Sequence, residues 1–279
     1  MNTDAFKAFF MHPKTQECIR LMRSVNCKDF PSTNYFGVNF SENKLSNLKL
    51  YYTFFHTIDM SLAKQFLPST EEFEKYYPFW EENSEITIQH SGCAFTLKAN
   101  ANLEFSKGFH LRFKLNEKTT PHFTLPKFIE LSPVDLQNYQ GISFEYSPSG
   151  IKKKNYYYIS DEKTKLRLSE IGKNTSIQNA TLIEYTESEN DQKIILWDNE
   201  ISGHPKKTKL NFPEKHLEFN ALMKNTFNLQ NYFDGAYLNR NETASYFYHI
   251  EKQNNFPFDS KLNRNINTID YLVKNLNLL

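Results

Sequence analysis

Residues 37–54 read Gly37-Val38-Asn39-Phe40-Ser41-Glu42-Asn43-Lys44-Leu45-Ser46-Asn47-Leu48-Lys49-Leu50-Tyr51-Tyr52-Thr53-Phe54. Two alternating runs flank a polar, turn-rich connection, which is the pattern of a β-hairpin. In the second run Leu48, Leu50, Tyr52 and Phe54 share one parity, while Lys49, Tyr51 and Thr53 share the other. Successive strand side chains point to opposite faces, so this hairpin has an apolar face and a face of cations, hydroxyls and rings.

The same opening recurs. Gly37-Val38-Asn39-Phe40, Gly92-Cys93-Ala94-Phe95, Gly141-Ile142-Ser143-Phe144 and Gly235-Ala236-Tyr237-Leu238 follow one pattern at spacings of 55, 49 and 94 residues. The last spacing is about twice the others, and Ala180-Thr181-Leu182-Ile183-Glu184-Tyr185 supplies a strand in that gap. The chain thus divides into five hairpin units. In the third, GISFEY and KNYYYIS flank a Pro-Gly turn, and in the fourth TLIEY and QKIILW flank TESEND. The fifth runs from GAYL through NRNE to TASYFYHI. In the second, Ser106-Lys107-Gly108 is the expected connection.

Helix-like segments separate the hairpins. They are expected at 4–25, 59–80, 124–139, 162–172, 213–230 and 264–278, with Asp59 as an N-cap and a restart at Ser69-Thr70-Glu71-Glu72 after Pro68. No Ser/Gly-rich linker interrupts the sequence, so a single domain spanning 1–279 is expected.

Composition narrows the function. The 33 basic and 32 acidic residues nearly cancel, which gives no general attraction to nucleic acid or an anionic membrane. No apolar run reaches the roughly 18 residues of a membrane span. Only 8 glycines are present, without a P-loop or a dinucleotide fingerprint. No adjacent Asp-Asp, H-E-x-x-H or G-x-S-x-G occurs either, so no metal site or serine elbow is expected. Cys18, Cys27 and Cys93 form an odd, scattered set, which with the poor N-terminal signal points to the cytoplasm, and Cys93 falls on the apolar parity as a buried thiol. The 25 Phe, 16 Tyr and 2 Trp suit both a core and a ring-lined pocket.

Parity is consistent along the chain. Leu111, Phe113 and Leu115 alternate with His110, Arg112 and Lys114; Ile194 and Leu196 alternate with Lys193, Ile195 and Trp197; Ile142 and Phe144 oppose Ser143 and Glu145. With helices on the apolar parity, the pattern leaves two α+β architectures open: an open sheet with one wet face, or a barrel with a polar, aromatic lumen.

The runs FGVNFSENKLSNLKLYYTFF and YFDGAYLNRNETASYFYHI resemble hairpins of the αββα-barrel aromatic prenyltransferases, closest in pattern to the cyanobactin-type peptide prenyltransferases. The resemblance implies a ten-stranded antiparallel barrel of five αββα repeats with helices outside. It also implies transfer of a dimethylallyl or related group from an allylic diphosphate to a small aromatic or peptide acceptor. A diphosphate shell of lumenal Lys, Arg and Tyr follows from it too. No cofactor is required on this reading, although magnesium can enter with the diphosphate.

Such chemistry needs cations for the departing diphosphate, aromatic faces for the allyl cation and a base for the acceptor proton. Lys49 and Tyr51, and their copy Lys154 and Tyr156, are the donor-binding candidates. Arg112, Lys114 and Lys193 add charge, and Trp197, Tyr246 and Tyr248 would wall the cation. Glu145 is the candidate base. Arginine is scarce, with Arg112 alone clearly on a lumenal strand position, so lysine carries the charge without bidentate geometry. A Lys-x-Tyr pair is equally the mark of a solvated sheet face. Two alternatives therefore stand beside the transferase: a non-catalytic barrel or sheet binding a hydrophobic or anionic ligand, and a protein–protein interaction module.

Overall fold

The computed structural model describes residues 3–25, 33–41, 44–54, 57–84, 92–113, 139–158, 182–188, 191–200, 235–238, 244–248 and 269. Two helices open the chain, α1 (Thr3–Met11) and α2 (Pro13–Ser24). The stretch expected as one helix breaks at His12, whose extended backbone and side chain cap α2, while Pro13 fills the first position, where no intrahelical N–H bond is needed. The first hairpin follows, β1 (Thr33–Ser41) and β2 (Lys44–Phe54), and then α3 (Met60–Phe66) and α4 (Glu71–Ser84). Asp59 caps α3, accepting from the Ser61 N–H at 2.8 Å, and Thr70 begins α4 with its hydroxyl donating to Glu74 at 2.8 Å.

The remaining strands are β3 (Cys93–Asn100), β4 (Phe105–Leu111), β5 (Tyr139–Ser147), β6 (Gly150–Tyr158), β7 (Leu182–Ser188), β8 (Asp191–Glu200), β9 (Gly235–Leu238) and β10 (Ala244–Tyr248). All pair antiparallel with their chain neighbours, and the hydrogen-bonded order β1-β10-β9-β8-β7-β6-β5-β4-β3-β2 closes into a ring through the β1–β10 ladder. Closure leaves no strand edge open to unwanted pairing.

Two sequence expectations are corrected. The second hairpin turns at Ala101–Glu104, and Ser106, Lys107 and Gly108 lie inside β4. The Asn100 side chain makes that turn, its Oδ1 accepting from the N–H groups of Asn102 and Glu104 at 3.0 Å each. Tyr139, expected to end a helix, begins β5. The other helices expected at 124–138, 162–172 and 213–230 lie outside the described residues, as does 264–278 apart from Ile269. That residue is helical and buried, and its N–H donates to Asn34 Oδ1 at 2.8 Å.

The core lies between helices and strands, on the apolar parity. Phe73 of α4 is its centre, with ring centroids 5.6 Å from Phe95, 5.0 Å from Phe109 and 5.0 Å from Tyr77. Phe66 of α3 meets Phe95 at 5.2 Å, Tyr76 meets Phe144 at 5.5 Å, and Phe6 of α1 meets Phe36 at 5.9 Å. Each fully buried ring of this size contributes about 1.5–3 kcal/mol from burial alone. Helix packing on this face turns the other parity of the ring inward.

Candidate functional site

Register fixes which residues share the inner face, because directly paired residues point the same way. Lys49 pairs with Lys98, Tyr51 with Thr96, and Thr96 with Gly108. Gly108 pairs with Glu145, and Ser143 with both His110 and Lys154. Tyr156 pairs with Glu184, Thr186 with Lys193, and Leu182 with Trp197. The inner parity therefore carries the Lys-x-Tyr pairs of β2 and β6, Glu145 of β5, and the positions of Lys193 and Trp197 on β8.

The described side chains converge on Glu145. Lys98 donates to its Oε1 at 2.7 Å, and the Ser106 hydroxyl donates to the same oxygen at 3.0 Å. Lys154 Nζ stands 3.9 Å from Oε2. Burial raises the proton affinity of this carboxyl, but Lys154, Lys98 and Lys49 outweigh it and hold the pKa at about 2. Glu145 is therefore an anion at neutral pH, gripped by cations from three strands.

Lys98 reaches Glu145 across the whole width of β4. Strands are about 4.8 Å apart, so the two backbones are roughly 10 Å from each other, and the lysine passes Ser106, its small register partner on β4. Gly108, two residues on, lies directly opposite Glu145. A Cβ there would collide with the Phe144 carbonyl oxygen and press on Thr96 Oγ1 at 3.2 Å. Glycine is thus required for the close approach of β4 to β5 beside Glu145.

Beside this cluster His110 faces Tyr156, ring centroids 5.1 Å apart, and the Tyr156 and Ser143 hydroxyls lie at 3.3 Å. Burial inside the ring of strands, together with Arg112 and Lys154, lowers the His110 pKa to about 3, so the imidazole is neutral. Four described cations (Lys49, Lys98, Arg112 and Lys154) surround one carboxylate and one neutral imidazole. Such an arrangement can hold a multiply charged anion.

Sequence reasoning placed some of these residues and missed others. Lys49, Tyr51, Arg112, Glu145, Lys154 and Tyr156 are on or beside the cluster. Lys114 lies outside the described residues, and Lys193 and Trp197 are placed by register alone. Tyr246 and Tyr248 are corrected: they pair with Val38 and Phe36, on the parity of the apolar core, because the fifth hairpin meets β1 in that register. Phe247 takes the inner position opposite Gly37. Lys98, Ser106 and His110 were missed as site residues. The signal for Lys98 was present, since Thr96-Leu97-Lys98-Ala99-Asn100 has the alternation of Leu48–Phe54.

The two described cysteines are buried. Burial pushes the Cys18 thiol up to about 12 and raises that of Cys93 further, which leaves neither as a nucleophile. Among the described residues no helix is long and apolar enough to cross a membrane.

The arrangement of helices and strands is similar to that of solved structures. NotF, in a crystal structure in complex with brevianamide F and DMSPP, superposes with a TM-score of 0.53 at 11% identity over 83% of each chain. A second structure, of NotF prenyltransferase, aligns at 13% identity over 88% of each chain with a TM-score of 0.49. AnaPT from Neosartorya fischeri aligns at 10% identity over 83% of this chain and 81% of its own, with a TM-score of 0.47. No protein-family profile and no curated protein sequence matches the chain. At this identity the likeness is one of fold: the chain shares the architecture of NotF.

Proposed function

We propose that this protein is a prenyltransferase that moves a dimethylallyl or related group from an allylic diphosphate to an aromatic or peptide acceptor. Five complete αββα repeats, with helices around the whole ring, form the architecture on this reading. The observation that carries it is the cation excess of the inner face, with Lys49, Lys98 and Lys154 around Glu145 and Arg112 beside His110.

The chemistry follows from that charge. The allylic C–O bond breaks, and inorganic pyrophosphate leaves with the bonding electrons into the cationic cluster, whose attraction grows as the charge develops. Near the surface of a protein one unit pair at 4 Å is worth about 4 kcal/mol, so several such contacts can make the diphosphate a good leaving group. The allyl cation is held against inner-face rings, with Tyr51, Tyr156 and Trp197 as the candidates. Carbon–carbon bond formation follows at an electron-rich ring of the acceptor, and the proton on that carbon goes to Glu145. A carboxylate of low basicity suffices there, because the proton of a prenylated arenium is itself strongly acidic. The inner-face residues need no metal, and magnesium can accompany the diphosphate.

The test is incubation of the protein with dimethylallyl diphosphate and a panel of Trp- and Tyr-containing peptides and free aromatics. A mass gain of one isoprene unit, with release of pyrophosphate, is the expected result. Release of pyrophosphate with no acceptor modified would show ionisation without transfer, and absence of both would remove the transferase reading.

A further inference from the structure

We propose that Lys98 and Glu145 form a donor-operated switch, in which a diphosphate draws the lysines away from Glu145 and leaves it a more basic carboxylate. This inference deepens the transferase reading and rests on it. It assigns Lys98 a positioning role: it acts through Glu145 rather than on the acceptor.

The two grips on Glu145 are unequal. Lys98 holds Oε1 in a short hydrogen bond of 2.7 Å, shared with Ser106 at 3.0 Å, whereas Lys154 stands further off, 3.9 Å from Oε2. Lys49 acts on the same carboxylate through space. A lysine ammonium has three donors and a flexible stem, so Lys98 and Lys154 can turn to phosphate oxygens without moving the strands. A diphosphate carries more charge and more acceptor oxygens than one carboxylate, and it wins the competition for both ammonium groups.

What remains around Glu145 then decides its basicity. Its side chain is only 17% exposed. The groups facing it are Lys98 from β3, Lys49 from β2, Ser106 and the bare Gly108 from β4, and Lys154 from β6. Lys152, its exposed register partner on β6, lies at the rim. His110 lies further along β4 and Arg112 just beyond its end, and Glu184 of β7 takes the position opposite Tyr156. With the lysines turned to phosphate, burial and the new negative charge both act in one direction, and the carboxylate gains proton affinity. The base is weak while the donor is absent and stronger once it is bound, which orders the two substrates.

Inorganic pyrophosphate is the probe. Its binding is measured by calorimetry at low salt for the wild type, Glu145→Gln and Lys98→Met. The Glu145 carboxyl carbon, assigned by its loss in Glu145→Gln or its shift in Glu145→Asp, is titrated by NMR with and without saturating pyrophosphate. The expected results are about tenfold tighter pyrophosphate binding by Glu145→Gln and an upward move of the Glu145 midpoint by about one pH unit, the same free energy. Lys98→Met alone raises the midpoint without pyrophosphate. If pyrophosphate binds the wild type but the midpoint stays or falls, or if Glu145→Gln binds no tighter, the switch is overturned and the transferase reading stands. If pyrophosphate does not bind the wild type at all, both are overturned.

Discussion

The imidazole of His110 lies 5.1 Å from the phenol ring of Tyr156, with the planes tilted by 48°, and Lys154 and Arg112 reinforce burial in keeping it neutral. The pKa falls from 6.5 to about 3 on folding. Between those values the unfolded chain binds a proton that the folded chain refuses, so stability rises with pH and is lost on acidification. The slope is at most about 1.4 kcal/mol per pH unit for one group. Below pH 6.5 but well above 4.5, where Glu145 stays ionised in both states, His110→Gln is expected to flatten the fall in urea midpoint. An unchanged slope in the variant would show that His110 is not the group that titrates.

Glu145 extends the effect further into acid. Its pKa is depressed from 4.5 to about 2, so its stabilisation is present above pH 4.5 and disappears as pH falls toward 2. In Glu145→Gln the acid limb below pH 4.5 is expected to be shallower than in the wild type, whereas the limb above it is the same. Melting temperatures collected across that window in moderate salt read the difference, and equal limbs in both proteins would contradict the lysine grip.

Gly108 and Phe73 separate site from scaffold. Gly108→Ala places a methyl against the Phe144 carbonyl and beside Glu145, and is expected to destabilise by about 1–3 kcal/mol as β4 and β5 are forced apart. Phe73→Ala empties the centre of the core and is expected to lose about 3–5 kcal/mol. The two differ at the carboxylate: Gly108→Ala should shift the Glu145 titration, and Phe73→Ala should leave it in place so long as the variant is folded. Urea unfolding gives the first comparison and carboxyl NMR the second.

The inner and outer faces were legible because period-two alternation is local. Lys49 against Leu50 and Ser143 against Phe144 need only their own strand to be assigned. Pairing between distant segments is not local, and Tyr246 and Tyr248 show it: their Tyr-x-Tyr spacing matches an inner-face pattern, yet the β1 register puts them with Phe36 and Val38. A one-residue change of register exchanges the faces, and nothing in TASYFYHI marks which of Tyr246 and Phe247 turns inward. The turn at Asn100 was hidden for another reason. Its driving force is a side chain accepting two backbone N–H groups, while Gly108, the more familiar turn residue, serves a close strand contact. Lys98 needed no tertiary knowledge, but its importance did. Only the β3-β4-β5 order shows that it reaches Glu145 across β4.

The cationic shell makes the last prediction. Lys49 and Arg112 sit on different strands, β2 and just beyond β4, and neither makes the short Lys98–Glu145 bond that organises the cluster. Replacing both by Met removes two positive charges and keeps much of the apolar stem length. Hydrogen bonds to charged groups are worth about 1.5–3 kcal/mol each, so each replacement is expected to weaken inorganic pyrophosphate binding by roughly 10- to 100-fold. The wild-type affinity should fall as salt is raised, and the double variant should respond less, because it has fewer charges left to screen. Calorimetry in a salt series reads both quantities at once. Full affinity in the double variant would mean that the anion sits elsewhere, and weaker binding with an unchanged salt response would mean that the loss came from a repacked lumen rather than from charge.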